Sequence, residues 1–167
     1  MSQQRIKANI STSIVALAIL TSPSLAETAK TEGRETAELT FASIDRNSQG
    51  FIHQGDLEAF RSDVFASMDG DDNGRLTYPE FSAWDPGFSE IAAKENKSDA
   101  FVTATKIIFS IWDRNADDQI TVSEMRFAMT ADFRRADVND DAVLSQDEFL
   151  KNFAIIVAMR AAVRPDL

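Results

Sequence analysis

Four times along this chain an aromatic, an aliphatic and a further apolar residue recur at one fixed spacing around a polar stretch. Phe41, Phe65, Phe109 and Phe133 each stand four residues before an aspartate: Asp45, Asp69, Asp113 and Asp137. With that aspartate as position 1, position 8 is Ile52, Leu76, Ile120 or Leu144, and position 13 is Leu57, Phe81, Met125 or Phe149. Twelve apolar matches in one register predict an internal repeat whose helix faces share a core, with the position-8 residues placed for short β-contacts between loops. Thr77-x-x-Glu80, Thr121-x-x-Glu124 and Ser145-x-x-Glu148 read as capping boxes, so a helix begins near position 10 of each of those stretches. Pro79 falls in the first helical turn, where a missing N–H does no harm. Trp84-Asp85-Pro86-Gly87 threatens the helix after the second stretch, because Pro86 disfavours helix at Asp85. Residues 94–98 (Lys-Glu-Asn-Lys-Ser) form a polar joint between two halves. From about Gln146 to Val163 the pattern predicts one strongly apolar core helix, with a membrane or partner face as the sharper reading.

The polar stretches carry chemistry. Residues 69–80 place side-chain oxygens at positions 1, 3, 5 and 12 (Asp69, Asp71, Asn73, Glu80) and Gly74 at position 6. A hard cation takes six to eight oxygens at about 2.3–2.6 Å, and twelve residues wrap it only by turning sharply at position 6. Glycine accepts the positive φ of that turn without a Cβ clash.

On these residues the chain resembles the EF-hand proteins of the calmodulin superfamily, in the style of small secreted bacterial members, over nearly all of residues 35–160. The resemblance implies an all-α fold of four EF-hand helix-loop-helix units with short inter-loop helices, whose loops bind Ca²⁺. It also implies side-chain ligands at positions 1, 3, 5 and 12, a backbone carbonyl at 7 and a water at 9. Loop two would use Asp69, Asp71, Asn73 and Glu80 with the carbonyl of Arg75. Loop three would use Asp113, Asn115, Asp117 and Glu124 with that of Gln119, and loop four Asp137, Asn139, Asp141 and Glu148 with that of Val143. Loop one offers Asp45, Asn47, Gln49 and Asp56 with the carbonyl of Phe51.

Loop one departs most from that pattern. Gln49 is neutral, His53 stands at position 9 and Asp56 is shorter than glutamate, so this loop is expected to be weak, Mg²⁺-preferring or empty. His53, the only histidine, reads as an exposed loop residue. Loops three and four replace the position-6 glycine with Asp118 and Ala142, and a left-handed Ala costs about 1–2 kcal/mol. The expected order of affinity is two, three, four, one. Spacing departs as well. Loops one and two start 24 residues apart, as do loops three and four, leaving twelve residues between them. A straight helix there, about 18 Å at 1.5 Å per residue, holds its two loops apart. Loop two is therefore expected to pair with loop three, and loop one with loop four, about a pseudo-twofold axis. The rival is a kinked helix with Ile52 opposite Leu76.

Composition adds compartment and partners. Arg5 and Lys7, the apolar run 14–20 and Ser24-Leu25-Ala26 form the three parts of a secretory signal peptide over residues 1–26, in place of an uncleaved anchor. A mobile leader would follow at 27–36, then EF-hands one and two at 37–93 and three and four at 98–163, in one compact domain. No later stretch is apolar enough to span a membrane. The chain has no cysteine and a net charge of −10, which argues against nucleic acid and anionic membranes as partners and suits a protein that gathers cations. Expected partners are calcium ions, as a structural or buffering ligand in the periplasm or outside a bacterial cell. The alternative is a calcium-dependent adapter that opens an apolar groove to a protein partner, against which stand only four methionines beyond the signal. With one histidine and no nucleophile, zinc-protease or phosphate-loop motif, no enzyme is expected.

Overall fold

Each helix start in the four repeats follows from local chemistry that is visible in the computed structural model, which describes residues 31–163. Among these residues the order is α1 (Glu32–Ile44), β1 (Phe51–His53), α2 (Gln54–Met68), β2 (Arg75–Thr77), α3 (Tyr78–Ala83), α4 (Phe88–Lys94), α5 (Ser98–Trp112), β3 (Gln119–Thr121), α6 (Val122–Ala136), β4 (Val143–Ser145), α7 (Gln146–Asn152) and α8 (Ala154–Val163). The fold is mostly helical, with four three-residue strands. Helices α2, α3, α6 and α7 all begin at position 10 of their loops, and capping boxes close at Thr77, Thr121 and Ser145 as expected. A fourth box, His53 with Asp56, starts α2. Such a cap stabilises its helix by about 0.5–2 kcal/mol.

The expected cross-pairing of loops is present. β1 pairs antiparallel with β4, placing Ile52 opposite Leu144, and β2 with β3, placing Leu76 opposite Ile120. The cause is the length of α2 and α6. Each is an uninterrupted helix of 15 residues, about 22 Å long at 1.5 Å per residue, so the loops at its two ends cannot meet. The two helices pack on each other, and Arg126 of α6 reaches Glu58 of α2 at 2.8 Å. All twelve repeat positions are buried, none more than 6% exposed. The halves also repeat each other's ring contacts. Phe81 meets Phe109 edge-on at 5.6 Å, and Phe149 meets Phe41 edge-on at 5.6 Å.

Two expectations are corrected. Helix α1 begins at Glu32, so residues 32–36 belong to it and not to a mobile leader. Thr31 caps it by accepting from the Arg34 N–H, Arg34 pairs with Glu38, and Lys94 of α4 holds Glu32. Gly33 is buried, and a Cβ there would stand 3.2 Å from the Val163 side chain, so contact with the far end of the chain anchors this turn. The apolar segment 146–163 is two helices. Phe153 is extended (φ −72°, ψ 112°) and buried, stacking on Phe149 at 5.1 Å. The bend turns Ile156, Met159 and Val163 inward, and the Arg160 guanidinium donates to the Leu150 carbonyl at 2.8 Å. A side chain ten residues away thus satisfies an acceptor in the last turn of α7. The break at Trp84–Gly87 and the joint after Lys94 stand where expected. Asp85 accepts from the Phe88 and Ser89 N–H groups and so starts α4.

Of the aromatics outside the repeat, Phe88 is fully buried, while Phe60 and Trp84 are half-buried and meet at 6.3 Å. Phe127 is 51% exposed beneath the Arg114 guanidinium, 3.8 Å from its ring centre. Residues 1–26, expected to be a signal peptide, and 27–30, expected to belong to a leader, lie outside the described residues. Among those described, no helix is long and apolar enough to cross a membrane.

Candidate metal centre

Every loop starts the same way. The last N–H of the incoming helix, on the position-1 aspartate, donates to the carbonyl of the phenylalanine four residues before it: Phe41, Phe65, Phe109 or Phe133. The aspartate carboxylate then turns the chain by accepting from the N–H groups of positions 5 and 6. These distances are 2.9 and 2.7 Å for Asp45, 3.0 and 2.8 Å for Asp69, 3.2 and 2.9 Å for Asp113, and 3.2 and 3.0 Å for Asp137. Position 6 is left-handed in all four: Gly50, Gly74, Asp118 (φ 64°) and Ala142 (φ 65°). The two non-glycine residues thus adopt the turn at the steric cost expected for them. Position 4 is left-handed too, at Ser48, Asp72, Ala116 and Asp140. Sequence reasoning missed that, since these four residues share no signal for it.

Loops two, three and four add three further layers. The position-3 oxygen accepts from the position-5 N–H: Asp71 from Asn73, Asn115 from Asp117, Asn139 from Asp141. The position-5 oxygen accepts from the N–H of position 7: Asn73 from Arg75, Asp117 from Gln119, Asp141 from Val143. Position 12 closes the ring. Glu80 accepts from the Gly70 N–H at 3.2 Å through one oxygen, and from the Thr77 N–H and hydroxyl at 2.9 and 2.8 Å through the other. Glu124 does the same with Arg114 and Thr121, and Glu148 with Val138 and Ser145. The capping box therefore does two things at once: it starts the exit helix and aims the glutamate into the loop.

These bonds set the charge state. The N–H and hydroxyl of Thr77 hold the Glu80 carboxyl below its usual range. Burial pushes the Glu124 carboxyl up, but the N–H and hydroxyl of Thr121, with the N–H groups of Arg114 and Asn115, outweigh it, so the net direction is also down. Both are carboxylates at neutral pH.

In loop two the oxygens of Asp69, Asp71 and Glu80 lie within 4.8 Å of one another, the one such acidic group among the described residues. Oxygens that each stand about 2.3–2.6 Å from a common ion can be at most about 5 Å apart, so this set fits a hard divalent cation. Asn73 completes the side-chain donors, its amide nitrogen held by Asp71 at 2.8 Å.

Loop one shares the turn but not the closure. Asp56 accepts only from the His53 N–H, at 3.0 Å, and the Arg46 N–H donates to the Ile44 carbonyl. Asn47 and Gln49 accept none of the internal bonds that their counterparts accept, and the Arg46 side chain pairs with Asp63 of α2. His53 is exposed, as expected.

The position-7 residues, Phe51, Arg75, Gln119 and Val143, open the four strands. Arg75 does something the spacing could not announce. Its guanidinium crosses to loop three, donating to Gln119 Oε1 at 3.1 Å and standing 3.6 Å from Asp117 Oδ2. No protein-family model matches the chain.

Proposed function

We propose that this chain is a calcium-binding protein built from four EF-hand units, acting as a structural or buffering Ca²⁺ ligand in the periplasm or outside the cell. The observation that carries the reading is the convergence of Asp69, Asp71 and Glu80 in a loop whose hydrogen-bond frame recurs in loops three and four. Loop two binds most tightly, loops three and four follow, and loop one is weak or empty. The residues act by prior arrangement: the turn at position 1, the left-handed residues at 4 and 6, and the closing glutamate hold oxygens together against their own repulsion. A cation relieves that repulsion, which makes binding and folding support each other. An outside compartment fits sites working near 10⁻⁴–10⁻³ M. A calorimetric Ca²⁺ titration of the chelator-stripped chain from Glu27, in physiological salt, tests this. The expected result is binding at loops two to four with dissociation constants at or below about 1 mM. Absence of heat up to about 10 mM would end the reading, since that lies beyond even the weak extracellular range.

A second reading, the calcium-dependent adapter, has one observation of its own. All four methionines of the described residues, Met68, Met125, Met129 and Met159, line a single apolar cavity of about 50 Å³ with Phe60, Trp84 and Phe101. Adaptable side chains gathered around one cavity are what a groove that opens would need. A calcium-dependent rise in binding of an apolar dye separates adapter from buffer.

A further inference from the structure

We propose that Arg75 lowers the calcium affinity of loop three, acting through its side chain as a built-in cation across the β2–β3 contact. The inference rests on the calcium reading above and concerns how that site is tuned. In the loop grammar Arg75 serves only through its backbone carbonyl, as position 7 of loop two. The antiparallel register that sets Leu76 opposite Ile120 also carries the Arg75 side chain over the other loop. There Nη1 donates to Gln119 Oε1 at 3.1 Å, which fixes the guanidinium, and Asp117 Oδ2 lies 3.6 Å away. Asp117 is position 5 of loop three and the second of its carboxylates. Its Oδ1 accepts from the Gln119 N–H at 3.1 Å, and its Oδ2 from the Asn115 amide at 3.0 Å. The loop's own cation, Arg114, lies over the Phe127 ring, 3.8 Å from its centre.

Two effects of a fixed positive charge there have the same sign. In the ion-free loop it neutralises part of the repulsion among Asp113, Asp117, Asp118 and Glu124, so binding has less to relieve. In the loaded loop it repels the divalent ion. Both weaken binding. Arg75 is 51% exposed and Asp117 36%, so water screens the effect and salt shrinks it further; removal of the charge is expected to gain roughly three- to tenfold in affinity at low ionic strength. The β1–β4 contact has no such device, because its position-7 residues are Phe51 and Val143.

Arg75→Gln removes the charge and keeps a hydrogen-bonding amide, and Arg75→Lys keeps the charge. Trp112 precedes Asp113 and is buried, so in a Trp84→Phe background, used for parent and variants alike, its fluorescence reports loop three during a Ca²⁺ titration, with calorimetry following the other sites. The expected result is that R75Q tightens the tryptophan-reported constant roughly three- to tenfold in low salt, with the gain shrinking as salt is added. R75K stays near the parent value. Parent protein that binds Ca²⁺ while R75Q leaves the tryptophan-reported constant unchanged, or weakens it, overturns the role of Arg75 and spares the calcium reading. Parent protein that binds no Ca²⁺ overturns both. Unaltered circular dichroism and thermal midpoint in calcium-free buffer show that R75Q is folded.

Discussion

Loops one and two sit at opposite ends of the same helix, α2, and their backbones are near copies. Each turns on a position-1 aspartate that accepts two N–H bonds, passes through left-handed residues at positions 4 and 6, and enters a three-residue strand with a fully buried aliphatic at its centre. They part in the bonds at positions 3 and 5, which Asn47 and Gln49 do not accept, and most of all at position 12. Glu80 spans from the start of α3 back to Gly70, whereas Asp56, one methylene shorter, stops at His53. Loop shape and loop closure are therefore written in different residues. The first comes from an aspartate, the position-6 turn and a strand partner. The second comes from the reach of one carboxylate, held in place by a hydroxyl at position 9 that loop one lacks.

If shape is independent of closure, the two strand pairs should matter equally to the fold whatever their loops bind. Ile52→Ala and Leu76→Ala are each expected to lower stability by about 2–5 kcal/mol, because both residues are fully buried and leave a cavity. Calcium-free chemical denaturation measures this, and a large inequality between the two would tie shape to closure after all. A reciprocal exchange at position 12 probes the other half of the comparison. On the proposed calcium reading, Glu80→Asp should make loop two resemble loop one and weaken its Ca²⁺ binding on the order of a hundredfold, about 2.8 kcal/mol at 1.4 kcal/mol per decade. Asp56→Glu should strengthen loop one by about tenfold, or 1.4 kcal/mol, a smaller gain because Gln49 and His53 remain. Calorimetry of both variants reads the two changes directly.

The smallest effect concerns the helix between the loops. Glu58, in the second turn of α2, accepts from Arg61 and Arg126, which hold its carboxyl down to about 2 from 4.5 despite some burial. A carboxyl whose folded value is depressed adds stability above its unfolded value and loses it as pH falls through the folded one. The contribution should thus be complete above about pH 4.5 and disappear toward about pH 2. Glu58→Gln should flatten that part of the acid melting profile while leaving neutral Ca²⁺ titrations of loops one and two unchanged.

The features legible from sequence were those set by neighbours along the chain. Capping boxes, the Pro86 break, the polar joint and the twelve apolar positions each follow from residues within a turn or a loop of one another. Even the cross-pairing of loops could be read, since it needs only the length of a straight helix. What escaped reading depends on distant partners. The first turn of α1 is held by Val163 and Lys94, and the bend at Phe153 by burial against Phe149 and by Arg160 reaching Leu150. The left-handed residue at position 4 had no common residue type to betray it. Local spacing assigns Arg75 only a carbonyl role, because the destination of its side chain depends on strand register, which local spacing does not contain.

The cross-pairing of strands has a further consequence, for how the chain reaches its fold. Both two-stranded sheets join the first half of the molecule to the second, Phe51–His53 to Val143–Ser145 and Arg75–Thr77 to Gln119–Thr121. Neither half, folded alone, would hold a single paired strand, and Phe41 and Phe81 would each lack their ring partners. The repeats are thus not modules that can be cut at the joint or learned one at a time. The long loop closures come before their reward, which places folding nearer the slower, high-contact-order regime than that of an up-down helical bundle. A repeat written four times along the sequence is, in three dimensions, one indivisible cooperative unit.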